Sequence, residues 1–232
     1  MEEHGKKYFG VHGSQLRDII LGGQDGLVNV LGIILAVASA TNDARIVIIA
    51  GLAATFAESI SMAAVAYTSS KAERSYYRSE LEREEYEIEH MPKEEVKEVR
   101  VIYYKKGFRG RLLNSIVKKI TSSKKLWLDI MMKEELNLSE NKSTSPGRDA
   151  FVVGFSAVLG SIIPLFAFFF LSIQHAIIAS LIISTTALFI TGAVKAKVTV
   201  GNWVKSGSEM AIIGMAAAII GYAIGTALGV MV

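Results

Sequence analysis

The chain has 232 residues, of which 51% are hydrophobic and 20% charged, and its mean hydropathy is +0.37. That combination excludes an evenly mixed soluble surface and requires the two populations to be segregated along the sequence. A net charge of +3 is too small to argue for a nucleic-acid partner, and the lack of cysteine removes disulfides, thiolate metal sites, iron–sulfur clusters and a cysteine nucleophile.

Met1 to Arg17 mixes Glu2, Glu3, Lys6, Lys7 and His12 with glycines and has no uninterrupted apolar core, so it does not read as a cleavable signal peptide. From Ile19 to about Ala40 the sequence is apolar. At about 1.5 Å per residue this is long enough to cross a hydrocarbon layer roughly 30 Å thick. It nevertheless contains Asp25. The short break Thr41-Asn42-Asp43-Ala44-Arg45 leads to a second apolar stretch, Ile46 to about Ser70, which contains Glu58. So short a break predicts a helical hairpin with both long ends on one side of a membrane.

Lys71 to Pro146 is a charged block between apolar segments. Helix formers predict a helix from Lys71 to His90, stopped at Met91-Pro92. Pro92 then suits the first turn of a second helix, reaching Tyr104 or Lys106 before Gly107. Further helices are expected over 111–120 and 123–136, followed by a linker, Asn141 to Gly147. A third span runs from Phe151 to about Ile173, with Pro164 expected to kink it or break one backbone hydrogen bond. Gln174-His175 reads as a minimal turn into a fourth span, Ala176 to about Val194. A basic and polar connection, Lys195 to Ser208, leads to a fifth span from about Met210. There Gly221, Gly225 and Gly229 recur every four residues, the pattern of close helix packing in a membrane, either within one protomer or between two.

The Asp43 turn carries only Arg45 and the Gln174 turn no Lys or Arg, whereas the N-terminus, the charged block and the Lys195, Lys197, Lys205 connection hold the rest. The positive-inside rule then places those three segments in the cytoplasm and the C-terminus outside. Arg17-Asp18 and Arg148-Asp149 each precede an apolar span, a faint parallel repeat of spans one and two in spans three and four. The expected fold is an all-α integral membrane protein with five transmembrane helices and a helical cytoplasmic insertion between helices 2 and 3. Its parts are a cytoplasmic N-terminus (1–18), helices 1–2 (19–70), a cytoplasmic metal-binding domain (71–148) and helices 3–5 (149–232). Lys/Glu richness without cysteine points to a thermophilic prokaryote and a prokaryotic cell membrane.

Nine glutamates crowd the segment from Glu80 to Glu98. Glu84 and Glu87 share one helix face, Glu95 and Glu98 a face of the next, and the turn at Met91-Pro92 can bring the faces together. Carboxylates held this close call for a cation. The neighbouring Arg83, Lys93, Lys97 and Arg100 could supply it, as on many solvated Glu/Lys-rich helices. Met131 and Met132 lie one turn before Glu135. Such methionines usually pack a core, but thioethers added to carboxylates suit Fe²⁺, Mn²⁺, Co²⁺ or Zn²⁺ better than Ca²⁺ or Mg²⁺.

Asp25 and Glu58 are expensive within apolar spans and are expected to face a protein-lined or watery path, unless they reach the headgroups from a helix end. Asn29 follows Asp25 by four residues and Met62 follows Glu58 by four, giving each helix a stripe of ligand atoms. Buried carboxylates would let metal and protons compete for one site. Two rival readings remain open on the residues alone. Glu87-Ile88-Glu89-His90 contains the Glu-x-x-His motif of di-iron oxidases, although those sites need two. A membrane-anchored metal sensor would use only the acidic block.

Asp25-Gly26, Ser61-Met62-Ala63-Ala64, the glutamate helices, and Trp127-Leu128-Asp129 with Met131-Met132-Lys133-x-Glu135, taken in this order, resemble the vacuolar iron transporter family, over essentially the whole chain. The resemblance implies a transporter, not an enzyme. It would move Fe²⁺, and often Mn²⁺, out of the cytoplasm in exchange for protons, as a homodimer with its pathway between subunits. No prosthetic group is implied, the metal being substrate. It further implies that Glu84, Glu87, Glu95, Glu98, Met131, Met132 and Glu135 collect the ion and that Asp25 and Met62 are transmembrane ligands. The chain departs from the pattern at Ala66 and Ala54, where many relatives and plant relatives respectively carry glutamate. Glu58, one turn from Ala54, is expected to substitute.

Overall fold

The computed structural model describes residues 13–139, 145–198 and 201–229. The expectations for Met1 to His12 and for residues 140–144 of the linker lie outside them. Every regular element among the described residues is helical. α1 (Gly13–Thr41) ends at Asn42, whose φ of 47° turns the chain. Asp43 Oδ1 then accepts the backbone N–H groups of Arg45 at 2.8 Å and Ile46 at 3.4 Å, and so caps α2 (Ala44–His90). α2 runs 47 residues without a break. Sequence polarity changes near Ser70, but helix propensity does not. After the inserted helices come α6 (Pro146–Leu165), a 3₁₀ turn (Phe166–Phe169), α7 (Ile173–Val198) and α8 (Trp203–Gly229). Five helical segments, Gln15–Thr41, Ala44–His90, Pro146–Phe169, Ile173–Lys197 and Trp203–Leu228, are long and apolar enough to cross a membrane.

Two boundaries differ from expectation. Pro164 does not kink the middle of a span; it stands next to the last residue of α6, where the helix tightens into the 3₁₀ turn. The reversal therefore falls at Phe170 to Ser172, and Gln174-His175 lie in the first turn of α7 instead of forming the turn. Ser172 fixes that start: its carbonyl accepts the Ala176 N–H at 2.8 Å, and its hydroxyl is hydrogen-bonded to His175 Nδ1 at 2.7 Å. The connection from Lys195 to Ser208 is also mostly helical. Asn202 Oδ1 accepts the N–H groups of Val204 and Lys205 and starts α8 there, well before Met210.

The described chain forms two compact units, one of residues 69–144 and one of the remainder. In the latter, α1 packs along α6, α7 and α8, with Val30, Leu31, Ile34 and Leu35 fully buried. Small residues permit the approach. A Cβ on Gly22 would meet the Val153 carbonyl oxygen at 2.3 Å, and one on Gly26 the Ala157 carbonyl oxygen at 2.3 Å. The offset that relates Arg17-Asp18 to Arg148-Asp149 also relates Gly22 to Val153 and Gly26 to Ala157. The faint repeat is thus a physical one: α1 and α6 cross in parallel about equivalent positions, and Asp18 and Asp149, each paired to its preceding arginine at 3.2 Å, are both buried. Gly221 and Gly225 contact the backbone of Gly32 and Ala36 in α1, so these two glycines serve packing within one protomer.

In the 69–144 unit, the distal half of α2 is followed by α3 (Pro92–Lys105), α4 (Gly110–Thr121), α5 (Lys124–Ile130) and a π-helical turn (Met131–Glu135). Pro92 opens α3, and the Ser123 side chain caps α5 by accepting the Leu126 N–H. Ile88, Val99, Leu113, Val117, Ile120 and Trp127 form the core of this unit.

Gly26→Leu forces a side chain against the Ala157 backbone and is expected to cost at least about 1–3 kcal/mol, as overpacking does. Gly147→Ala, with open space around it, serves as the control. Thermal unfolding of the detergent-solubilised protein, followed by retention of the monodisperse peak, measures the difference.

Candidate functional site

The distal half of α2 and α3 form a hairpin closed at Met91, where the Glu94 N–H reaches the Met91 carbonyl at 3.0 Å. This brings the two glutamate faces together as their spacing predicts. Glu84 and Glu95 are 1% and 3% exposed, Glu87 is half-buried and Glu98 exposed. Glu84 lies in the field of Glu87 and Glu98, and Glu95 in that of Glu98, Glu84, Glu135 and Glu87. One carboxylate oxygen each of Glu84 and Glu95 is buried without a hydrogen-bond partner in the structure. Such groups are costly unless a proton or a cation answers them.

Of the four cations that could neutralise the cluster, Arg83 is the one whose ion pairs reach it. Arg83 stands 2.8 Å from Glu80, 3.5 Å from Glu84 and 3.9 Å from Glu87. Arg100 turns instead to Asn114, and Lys97 to Glu94. Lys124, from the start of α5, reaches Glu85 at 2.7 Å and also Glu89, drawing off the glutamates on the other side of α2. Arg83 was legible as a neighbour one turn from Glu80 and Glu87; Lys124 was not, because it comes from a distant element. The inner pair is left with one partly exposed guanidinium for several carboxylates.

The result is visible in their protonation. Burial, then Glu98 and Glu84, pushes the Glu95 carboxyl up to about 7. Desolvation and the same neighbours push Glu135 up to about 7, although that residue remains exposed overall. Burial and Glu87 also raise Glu84.

The helix expected over 123–136 is α-helical only as far as Ile130. Met131–Glu135 is a π turn, closed by the Leu136 N–H on the Met131 carbonyl at 3.2 Å, and Asn137 with φ 53° ends it. π turns of this kind commonly mark functional sites. Here the wide turn buries both Met131 and Met132 while Glu135 joins the acidic group. Met131 belongs to the apolar core with Ile88, Val99 and Trp127. Met132 is buried outside that cluster. Among the described residues, no three carboxylate or imidazole groups already close into a ligand sphere.

The other unit holds a second polar constellation. Asn29 of α1 donates a side-chain hydrogen bond to Glu58 Oε1 of α2, and Asp25 lies within reach of the same carboxyl. Asp25, Asn29 and Glu58 are therefore together, the first two on α1, which the glycine contacts described above hold against α6 and α8. Asp25 and Glu58 are half-buried and Asn29 is exposed. Met62 follows one turn beyond Glu58 and is half-buried.

These features define a helical membrane protein with carboxylates grouped inside its apolar helices and a separate acidic helical unit. A family model, that of the VIT family, matches residues 16–226. Vacuolar iron transporter 1 of Tulipa gesneriana is 31% identical over 98% of this chain and 92% of its own length. The protein of the same name from Arabidopsis thaliana is 33% identical over 92% and 86% respectively, and the vacuolar iron transporter of Plasmodium falciparum (isolate 3D7) is 31% identical over 98% and 87%. The chain belongs to the VIT family. Its members are transporters and not enzymes, which sets the di-iron oxidase reading aside. His90 stacks on Tyr86, ring centroids 3.9 Å apart, and its Nδ1 is hydrogen-bonded to the Tyr86 carbonyl.

Because the folded chain holds a proton on Glu95 up to about 7 while the unfolded chain releases it near 4.5, stability is greatest below that window and falls as pH rises through it. Glu95→Gln is expected to protect α3 amides from hydrogen exchange more than the parent at pH 8 and equally at pH 5. Equal protection at both pH values would mean that Glu95 undergoes no costly ionisation between pH 5 and pH 8.

Proposed function

We propose that the protein carries Fe²⁺ or a similar divalent transition ion, Mn²⁺ included, out of the cytoplasm in exchange for protons. The observation that carries this reading is the pair of buried, unpartnered carboxylate oxygens on Glu84 and Glu95, with Glu87, Glu98 and Glu135 around them. In this reading the 69–144 unit is cytoplasmic, as the distribution of Lys and Arg predicts. A divalent ion displaces the protons held there and recruits the glutamates into its ligand sphere. Met131 and Met132 add soft donors that favour iron and manganese over calcium or magnesium. The elevated protonation of Glu95 and Glu135 supports competition between metal and protons near neutral pH.

Asp25, Glu58, Asn29 and Met62 then form the path through the membrane. Glu58, hydrogen-bonded by Asn29 and beside Asp25, fills the acidic role that Ala54 and Ala66 lack. A sensor that used its spans only as anchors would have no use for two carboxylates at this depth. Asn29 is exposed and both carboxylates are only half-buried in a single copy. Facing lipid they would be costly; a second copy covering them, as in a homodimer with the path between subunits, removes that cost. The relatives named as iron transporters support the substrate class.

Asp25→Ala is expected to abolish metal flux into proteoliposomes while leaving metal binding by the detergent-solubilised protein intact. Glu84→Ala combined with Glu87→Ala is expected to weaken binding and leave residual flux at saturating metal. Normal flux in Asp25→Ala would refute the assigned path.

A further inference from the structure

Between Glu98 and Asp129 the chain carries nine Lys and Arg residues and no acid. Some are used inside the unit: Lys124 pairs with Glu85 and Glu89, Lys106 with Glu134, and Arg100 with Asn114. The loop between α3 and α4 is different. Its segment Tyr104 to Leu112 interleaves Lys105, Lys106, Arg109 and Arg111 with aromatic and apolar residues, and the side chains of Lys105 and Arg111 carry no ion pair among the described residues. The Arg109 guanidinium lies over the exposed Tyr104 ring, 3.5 Å from its centroid, and donates to the Phe108 carbonyl at 2.8 Å. Gly107 and Gly110, with φ of 98° and 56°, fold the loop back with open space around both. Tyr104, in the last turn of α3, and Leu112, in the first turn of α4, flank the loop and are 51% and 59% exposed.

The position of the loop within its own unit gives this chemistry a partner. α3 turns back along α2 at Met91, which brings Glu95 and Glu98 beside Glu84. From that turn, the 14 residues of α3, at about 1.5 Å each, carry Tyr104 and Lys105 back toward the Ser69 end of the unit. The loop therefore lies at the Ser69 end of the unit. There α2 is only a turn or two, at about 1.5 Å per residue, beyond its apolar stretch. Cations with no acid among them, mixed with an amphipathic tyrosine and a bare leucine, match the headgroup layer of a bilayer, where aromatic rings and Lys/Arg heads both settle. We propose that the α3–α4 loop docks on anionic phospholipid headgroups of the membrane that the protein spans, through Lys105, Arg109 and Arg111 with Tyr104 and Leu112. Docking fixes one end of the acidic unit at the membrane surface. The inference rests on the protein crossing a membrane, and is independent of which ion it carries.

The absence of cysteine makes the test direct. Leu112→Cys in the full-length protein, labelled with bimane, is reconstituted into phosphatidylcholine vesicles with and without phosphatidylglycerol, each containing doxyl-labelled lipid. Strong quenching is expected with phosphatidylglycerol and weak quenching without it. Lys105→Gln and Arg111→Gln should each lower the docked-to-free ratio about fivefold, as expected for one cation near an anionic surface. Salt near 1 M, where the screening length is about 3 Å, should abolish the difference between lipids. Equal quenching in the two lipids would overturn the proposal. So would loss of quenching on adding inorganic phosphate at constant ionic strength, which would mark a free-anion site. The lipid comparison uses the labelled parent, so a poorly folded charge variant does not decide it.

Discussion

Glu84 and Glu95 present a problem that the rest of the 69–144 unit is arranged around: two carboxyl groups removed from water, each with an oxygen that meets no donor. Left ionised they would repel one another and Glu87, Glu98 and Glu135. Burial and that mutual repulsion favour the protonated forms, which is why Glu95 and Glu135 are pushed up to about 7. The surroundings hold the group together without neutralising it. Arg83 touches its edge, Lys124 draws the outer glutamates away, and the π turn brings Glu135 in while burying two thioethers. An acidic cluster stabilised by its own arginines would be a solvated surface. One left short of positive charge holds protons, and that shortage supports the proposed exchange of protons for metal.

The membrane unit solves a different problem, that of holding carboxylates in apolar helices. Hydrophobic driving force between helices is absent in lipid, so position depends on close packing. Gly22 and Gly26 bring α1 onto the α6 backbone, while Gly221 and Gly225 bring α8 onto α1. α1 is thereby fixed on two sides, and its remaining polar stripe, Asp25 and Asn29, meets Glu58 of α2. The parallel repeat accounts for the α1–α6 side: α6 offers to α1 the positions equivalent to those that α1 offers to it.

Much of this was legible in the sequence. The five apolar segments followed from hydropathy and length, and Pro92 acts where local chemistry puts it, in the first turn of a helix. What was misplaced depended on competition between signals. The stretch from Lys195 to Ser208 read as a connection because of its charge, yet Asn202 starts α8 there. Gln174-His175 read as the turn, but Pro164 ends the preceding helix early and Ser172 restarts the chain before them. The glutamate pairs were legible from their spacing within each helix. The π turn at Met131 and the contact of Lys124 with Glu85 and Glu89 were not, because both are set by packing between elements far apart in sequence.

The central claim is exchange of a divalent metal for protons across the membrane, and one measurement tests it most directly. Purified protein in liposomes, with a pH-sensitive dye and a metal indicator inside, is given Fe²⁺ or Mn²⁺ outside under an imposed pH gradient. The account predicts metal entry accompanied by alkalinisation of the lumen, with both signals rising and falling together as the gradient is varied. Metal entry indifferent to the gradient and without a lumenal pH change, or metal binding with no entry at all, would contradict it.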